Sequence, residues 1–403
     1  MSKKQKFNII LLVFISFTLL IIANIGIFNV YSLQDNLYTS YNEINEINKE
    51  RRFGNLVELS MKKNLQTGSE EEKEGYVVVK LFGFIPIKKV KVKLLPEDQV
   101  YLGGVPIGLT VYTEGVVVVS DAVVDVANNK IVKNKQLENG DIIKKIGNVI
   151  IENVDDVEEA LKSVDSDNVE VELLRDNKVV NTNVGLIKNK NNEYKLGVWV
   201  KNDISGIGTL TFVKKKDLKY GALGHPITNG ADDSVVPITT GNVYSCNLIG
   251  VNKGQRNKPG ELRGVFVKKN EKGDITKNTP YGIFGNIEKK ENVIDENRCA
   301  KIGGRLSVKP GKAKLISSVS GICEEYDIEI IKASYQTKCS DKSIVFRVKD
   351  KRLLELTGGI VQGMSGSPIV QNGKLVGAVT HVFMSDPTKG YAVYSDWMLE
   401  QID

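Results

Sequence analysis

Gly363-Met364-Ser365-Gly366-Ser367-Pro368 runs directly into Ile369-Val370-Gln371-Asn372-Gly373-Lys374-Leu375-Val376-Gly377-Ala378-Val379. The second part places Asn-Gly between two apolar runs, the strongest short-range signal for a β-hairpin. The first part is then a glycine-lined turn that opens onto the hairpin and carries Ser365. A hydroxyl that attacks a carbonyl must be exposed, and the tetrahedral oxyanion needs two convergent backbone donors. Glycine at 363 frees the backbone to turn its N–H to the same side as that of Ser365. Ser365 is the candidate nucleophile, with the amides of Gly363 and Ser365 as its oxyanion donors. Ser367 is a second hydroxyl of the same turn and ranks behind it. A Gly/Ser turn between strands is common, so the rest of the chain must supply the partners that such a serine needs.

The chain has two histidines, so each can be weighed by itself. His225 lies in Tyr220-Gly221-Ala222-Leu223-Gly224-His225-Pro226, crowded by small residues and closed by proline. A general base must be held within hydrogen-bond reach of its nucleophile with little freedom, and this setting suits one. His381, in Val379-Thr380-His381-Val382, follows the hairpin strand; Thr380 and His381 are read as substrate-pocket residues. For the third member, Asp350 precedes the serine, while Asp203, Asp232 and Asp233 flank His225. Spacing does not choose among them. The Gly-x-Ser-Gly-x-Pro turn with its hairpin resembles the nucleophile loop of chymotrypsin-like serine peptidases, and His225 precedes Ser365 in the same order. Those enzymes often carry Asp before the serine for activation by a new N-terminus. Met364 stands there, which argues against that route.

Upstream, Lys3, Lys4 and Lys6 precede an uncharged apolar run from about Ile9 to Val30. Roughly 22 residues at about 1.5 Å each span ~33 Å, enough for the hydrocarbon core. The lysines place the N-terminus in the cytoplasm and everything after Tyr31 outside. The run is long for a cleaved signal peptide, for which Val30-Tyr31-Ser32 would be the cleavage site. Residues 32 to 74 are polar and read as a stalk, followed by strands from Tyr76 to Leu95. Tyr101-Leu102-Gly103-Gly104-Val105-Pro106-Ile107-Gly108-Leu109 is a Gly-rich loop entering a strand. Leu137 to Ile143 puts Asn-Gly before another strand. Val154, Val157, Leu161 and Val164 have helical spacing, with Asn153 or Asp155 as cap. This order of elements resembles a PDZ domain, which captures an extended peptide or a C-terminus as an added strand. That resemblance makes Leu102, Gly103 and Gly104 the carboxylate cradle and Gly108 and Leu109 the groove.

The 403 residues are 41% hydrophobic and carry a net charge of +6 with both signs interleaved, not a basic face for nucleic acid. Cys246, Cys299, Cys323 and Cys339 show no metal spacing and read as thiols rather than bridges. No metal or cofactor is implied.

Leu81-Phe82-Gly83-Phe84-Ile85-Pro86, Gly197-Val198-Trp199-Val200, Gly206 to Phe212, Gly221 to His225 and Thr357 to Pro387 together resemble the sporulation stage IV B serine peptidases of endospore-forming bacteria. The resemblance covers nearly all of the chain beyond the apolar run. It implies a mainly β fold: a transmembrane anchor (1–31), stalk and membrane-proximal strands (32–96), a PDZ-like α+β module (97–190) and a chymotrypsin-like double β-barrel peptidase (191–403). It implies Ser365, His225 and Asp350 as the triad. It also implies export into the space between two membranes of the developing spore, self-cleavage, and clipping of a membrane-protein partner. The competing reading is a non-catalytic PDZ scaffold on a degenerate peptidase fold.

Overall fold

The period-2 alternation of valines after residue 74 dictates strands with one buried face. In the computed structural model they form a four-stranded sheet in the order β1-β4-β3-β2. The strands are β1 (Leu37–Thr39), β2 (Val57–Lys63), β3 (Glu74–Leu81) and β4 (Ile85–Leu94), with helix α1 (Tyr41–Lys49) between the first two. Val77, Val79, Val90 and Val92 bury their side chains together with Ile44 and Ile47 of α1 and Leu306 from the C-terminal part of the chain. Buried Glu43 accepts the Gly304 N–H at 3.0 Å and faces the Lys374 ammonium at 3.4 Å. Residues 37–50 and 57–63 therefore belong to a sheet docked on the C-terminal part of the chain, where the polar composition suggests a stalk. The structure describes residues 37–50, 57–63, 74–122, 134–228, 234–334 and 340–402, with residues 12 and 124. The anchor expected over 9–30 lies outside the described residues save Leu12. Among the described residues, no helix is long and apolar enough to cross a membrane.

Most of the remaining strands hydrogen-bond into one closed arrangement around two apolar cores. The first core is built on β6 (Pro106–Asp121), then, after an insertion, β13 (Val198–Lys214), β14 (Lys219–Ala222), β15 (Thr240–Asn252), β16 (Glu261–Asp274), β17 (Lys277–Thr279) and β18 (Gly282–Asn286), while β5 (Val100–Leu102) pairs with β13 and buries Val100 and Leu102 in the second core. Ile107, Leu109, Leu210, Tyr220, Val243 and Ile283 fill it. The second is built on β19 (Cys299–Ile302), β20 (Gly311–Ser317), β21 (Glu324–Ala333), β22 (Ile344–Val348), β23 (Pro368–Gln371), β24 (Lys374–Val382) and β25 (Lys389–Tyr394). It is filled by Leu315, Tyr326, Phe346, Leu375, Val379 and Trp397. Helices α3 (Lys351–Thr357) and α4 (Ser395–Leu399) accompany it. Asn372 and Gly373 form the β23–β24 turn at φ 51° and 74°, as the Asn-Gly signal requires.

The insertion between β6 and β13 is a small α+β unit. It holds β7 (Ile142–Ile146), β8 (Val149–Ile150), helix α2 (Val154–Lys162), β9 (Asn168–Arg175) and β10 (Lys178–Gly185), then the short pair β11 (Ile187–Lys188) and β12 (Tyr194–Lys195). Its own core joins Ile143, Val157, Leu161, Val171 and Leu173. Asn153 caps α2 in a reciprocal box with Asp156. The boundary expected at 97 is displaced. Strand β6 pairs with β13 from Asp121↔Val198 to Pro106↔Thr209, so β5 and β6 are barrel strands.

This corrects the expected carboxylate cradle. The N–H groups of Leu102, Gly103 and Gly104 are spent on the carbonyls of Arg298, Thr211 and Leu210 at 2.8–2.9 Å. A Cβ on Gly103 would sit 2.0 Å from the Leu210 oxygen, and one on Gly108 would meet the Phe266 ring at 2.2 Å. These glycines permit close strand packing, and Leu109 belongs to the first barrel core. Cys246, Cys299 and Cys323 are free thiols, and Cys339 is outside the described residues.

One buried ion pair ties α4 to the loop after β19. Asp396 Oδ2 accepts both the N–H and the Nε–H of Arg305, at 3.1 and 3.0 Å. Burial pushes the Asp396 carboxyl up and Arg305 pulls it back. Removing one partner strands the other charge in the interior. Asp396→Ala is expected to lower unfolding free energy by about 3–5 kcal/mol in denaturant titration; a loss under about 1 kcal/mol would contradict this reading of the pair.

Candidate active site

Strand β13 alternates Gly208, Leu210 and Phe212 with Thr209 and Thr211, so the two threonines share a face. That face holds the turn from Gly363 to Gly366. The Thr209 N–H donates to the Ser365 carbonyl at 2.9 Å. The Thr209 hydroxyl donates to the Gly363 carbonyl at 2.7 Å, and the Thr211 hydroxyl to that of Gly366 at 2.8 Å. From the other side, the N–H of Met364 donates to Val361, that of Gly366 to Val379 and that of Ser367 to Met364. The peptide planes 363–364 and 365–366 are thus fixed at both ends. The approach is so close that a Cβ on Gly366, at φ 95°, would lie 2.0 Å from the Thr209 carbonyl oxygen.

Two donors of this turn are left over. Among the described residues, the N–H groups of Gly363 and Ser365 donate to no acceptor in the protein, whereas those of Met364, Gly366 and Ser367 do. Gly363 takes φ 91°, open to glycine and costly for other residues. Gly363 and Ser365 both line a cleft of about 620 Å³ formed by residues of both barrels. Leu109, Ile207, Leu223 and His225 come from the first barrel. Gly363, Ser365, Thr380 and His381 come from the second. Ser367 is fully buried and its hydroxyl has no partner among the described residues, which leaves Ser365 as the hydroxyl the cleft can reach.

His225 enters the cleft after Leu223 and Gly224, at φ 67° and 72°. A buried leucine in the left-handed region is strained, and such strain gathers where a site needs it. His225 Nδ1 lies 2.8 Å from the Pro226 carbonyl oxygen. A carbonyl only accepts, so Nδ1 carries the proton and Nε2 keeps its lone pair. Burial holds the imidazole below its ordinary value of 6.5, against the upward pull of the Pro226 carbonyl and, more weakly, of Asp341. The ring of His381 stacks on that of His225, with centroids 5.2 Å apart and planes inclined by 24°. His381 Nε2 is bound to Asp341 Oδ2 at 2.6 Å. That bond holds the Asp341 carboxyl below the usual range. Thr380 donates its hydroxyl to the Asp341 carbonyl at 2.6 Å and accepts the Ser365 hydroxyl on its own carbonyl at 2.9 Å. The Ser365 hydroxyl is therefore parked on Thr380 rather than on an imidazole.

Of the residues singled out from sequence, Ser365, Gly363, His225, Thr380 and His381 come together. Asp350 does not. It is the N-cap of α3, where its carboxylate accepts the Arg352 N–H at 2.9 Å and pairs with the Arg352 guanidinium at 3.0 Å. It is absent from the cleft lining, so the expected contact with His225 is not made. Asp203 pairs with Lys268, and Asp232 and Asp233 lie outside the described residues. Sequence reasoning missed Thr209, Thr211 and Asp341. The same-face threonines of β13 were a legible signal; Asp341, in a loop before β22, had none.

Residues 192–399 match the family model of the SpoIVB peptidases, peptidase family S55. The chain belongs to the SpoIVB peptidase S55 family. It is therefore a serine peptidase, and the matched segment contains His225, Asp341, Asp350 and Ser365. No match was found among curated proteins. Among solved structures, the chain is similar to the inactive form of the Rv3671c protease. Identity is 10% and the TM-score 0.26, over 49% of this chain and 82% of that one. It is also similar to the active form of the Rv3671c protease from M. tuberculosis, with 12% identity and a TM-score of 0.26, over 49% and 73%.

For this S55 peptidase, Thr209→Val is expected to keep the fold and lower kcat/KM by roughly tenfold or more, about 1.4 kcal/mol of transition-state stabilisation. Peptide hydrolysis and the circular dichroism of the variant read the two effects. Unchanged kinetics would show that the clamp is dispensable.

Proposed function

We propose that this peptidase is an exported, membrane-anchored endopeptidase that cuts itself and a membrane-protein partner during sporulation signalling. The observation that carries the catalytic reading is the pair of unspent amides at Gly363 and Ser365, two residues that line the same cleft as His225. The Ser365 hydroxyl leaves the Thr380 carbonyl, and His225 Nε2 takes its proton as Oγ attacks the substrate carbonyl. The two amides receive the oxyanion. The imidazolium then donates its proton to the leaving amine, and water releases the acyl group by the same steps in reverse.

In this reading the carboxylate that serves the site is Asp341. It fixes His381, whose ring walls one face of His225 and limits its rotation. Asp350 supports the fold as a helix cap. Asp341→Asn should lower kcat by about tenfold or more. Asp350→Ala should leave kcat near that of the parent and cost about 0.5–2 kcal/mol of stability through the lost cap. The reverse ranking of the two variants would return the acid role to Asp350.

A neutral His225 is required for proton abstraction, and burial lowers its pKa. Activity is thus lost as pH falls through a value below 6.5. The acid limb of kcat/KM should lie below that ordinary histidine value, and a limb above it would contradict the buried-base reading.

The uncharged apolar run at 9–30 and the lysines before it support the anchor and the exported location. The family supports sporulation as the setting. The α+β insertion between β6 and β13 is the candidate peptide-binding module, in a PDZ-like role for which the glycines 103, 104 and 108 are not available. Ser365→Ala is expected to abolish both fluorophosphonate labelling and the appearance of new N-termini, read by mass spectrometry of the purified chain. Continued self-processing in that variant would refute the assignment.

A further inference from the structure

The β3–β4 hairpin ends in Leu81-Phe82-Gly83-Phe84-Ile85, and its tip is apolar and exposed. Phe82, Phe84 and Ile85 have 54%, 72% and 42% of their surfaces open. Phe82 and Gly83 occupy the two central turn positions at φ 54° and 77°, with the Phe84 N–H donating to the Leu81 carbonyl at 3.3 Å. The β23–β24 hairpin makes a turn of the same kind with Asn372 and Gly373, and the β9–β10 hairpin uses Asp176 and Asn177, all at positive φ. Those residue types tolerate that backbone; a bulky aromatic there is strained. The chain thus accepts strain at 82 and displays two aromatic rings, 6.3 Å apart and loosely stacked, to solvent. Neither ring serves the hairpin's packing, which rests on Val77, Val79, Val90 and Val92.

What lies around the tip indicates its occupant. Lys80 adjoins Leu81 at the base of the tip and Lys88 follows on β4, Glu58 is the acid beside Gly83, and the Lys89 ammonium turns away from the tip onto the Tyr76 ring at 3.7 Å. An apolar point with lysines at its base suits an anionic lipid surface, where aromatic rings enter the headgroup boundary and ammonium groups stay among phosphates. The direction of the chain agrees. Strand β1 pairs parallel with β4, Leu37 opposite Val92 and Thr39 opposite Leu94, so the chain enters the sheet from the side of the tip. From the level of Val92 back to Ile85 is about 23 Å of strand at ~3.3 Å per residue. The residues between Val30 and Leu37 can bridge that length when extended, at about 3.3–3.6 Å each.

We infer that the Phe82–Ile85 tip dips into the outer face of the membrane that the apolar run 9–30 crosses, giving the peptidase a second contact with the bilayer. The inference rests on the anchor reading. It would hold the docked sheet, and through Glu43 and Leu306 the barrel, at a set height above the lipid.

The full chain reconstituted in vesicles of phosphatidylethanolamine and phosphatidylglycerol provides the test. The emission added over the parent by Phe84→Trp is expected to be blue-shifted and quenched when brominated lipid replaces the ordinary lipid. The emission added by Val179→Trp, on the exposed β9–β10 hairpin, should stay at the aqueous wavelength. A parent that floats with the vesicles while Phe84→Trp is quenched only by aqueous iodide overturns the tip and leaves the anchor standing. Equal bromolipid quenching of both variants also overturns the tip as a specific contact. A parent that does not float overturns both.

Discussion

Two threonines on one face of β13 hold the turn from Gly363 to Gly366, and the geometry of the candidate site depends on that clamp. Three hydrogen bonds from Thr209 and Thr211 fix carbonyls of Gly363, Ser365 and Gly366. The N–H groups of Gly363 and Ser365 lie on the neighbouring peptide planes, whose carbonyls accept from Leu262 and Ser367, and among the described residues these two N–H groups have no acceptor. The proposed oxyanion site is thus what remains of the turn: Met364, Gly366 and Ser367 spend their N–H groups within the protein, and the two of Gly363 and Ser365 stay open. The clamp also joins the two barrels, since β13 belongs to the first core and the turn to the second. A cleft between barrels can position a base from one side against a nucleophile from the other only if such a bond network fixes their separation.

The two histidines divide the polar work. His225 has a carbonyl on Nδ1 and, among the described residues, no hydrogen-bond partner on Nε2, whereas His381 has a carboxylate on Nε2. Their stacked rings make one unit in which the charged partner is one ring removed from the proposed base. The hydroxyl of Ser365 rests on Thr380, whose own hydroxyl holds the loop carrying Asp341. Serine, both histidines and Asp341 are thus linked through Thr380 and its neighbour on β24.

Much of this was legible locally. The Asn-Gly hairpin, the glycine-lined turn, the scarcity of histidine and the alternating valines each express a short-range rule, and each element formed where those rules put it. The Asn153 cap is of the same kind. The domain boundary at 97 was misplaced for a physical reason. A Gly-rich loop entering a strand reads the same whether its amides await a ligand carboxylate or a neighbouring strand, and here β13 and the Arg298 loop took them. The region before residue 74 misled because polar composition hides a helix whose one buried face rests on Ile44 and Ile47.

Sequence by itself carried the serine-peptidase family and singled out Ser365, the Gly363 and Ser365 amides and the small-residue setting of His225 as candidates, because those are carried by contiguous residues under backbone constraint. Only the tertiary structure decided which acid meets a histidine. Asp350 and Asp341 are both aspartates a short way before Ser365, and nothing local separates them. One faces Arg352 at a helix start and the other faces His381 across the cleft wall. That difference arises from how β22, α3 and β24 pack in the second barrel, and a pairing across 40 residues leaves no pattern in either partner's neighbours.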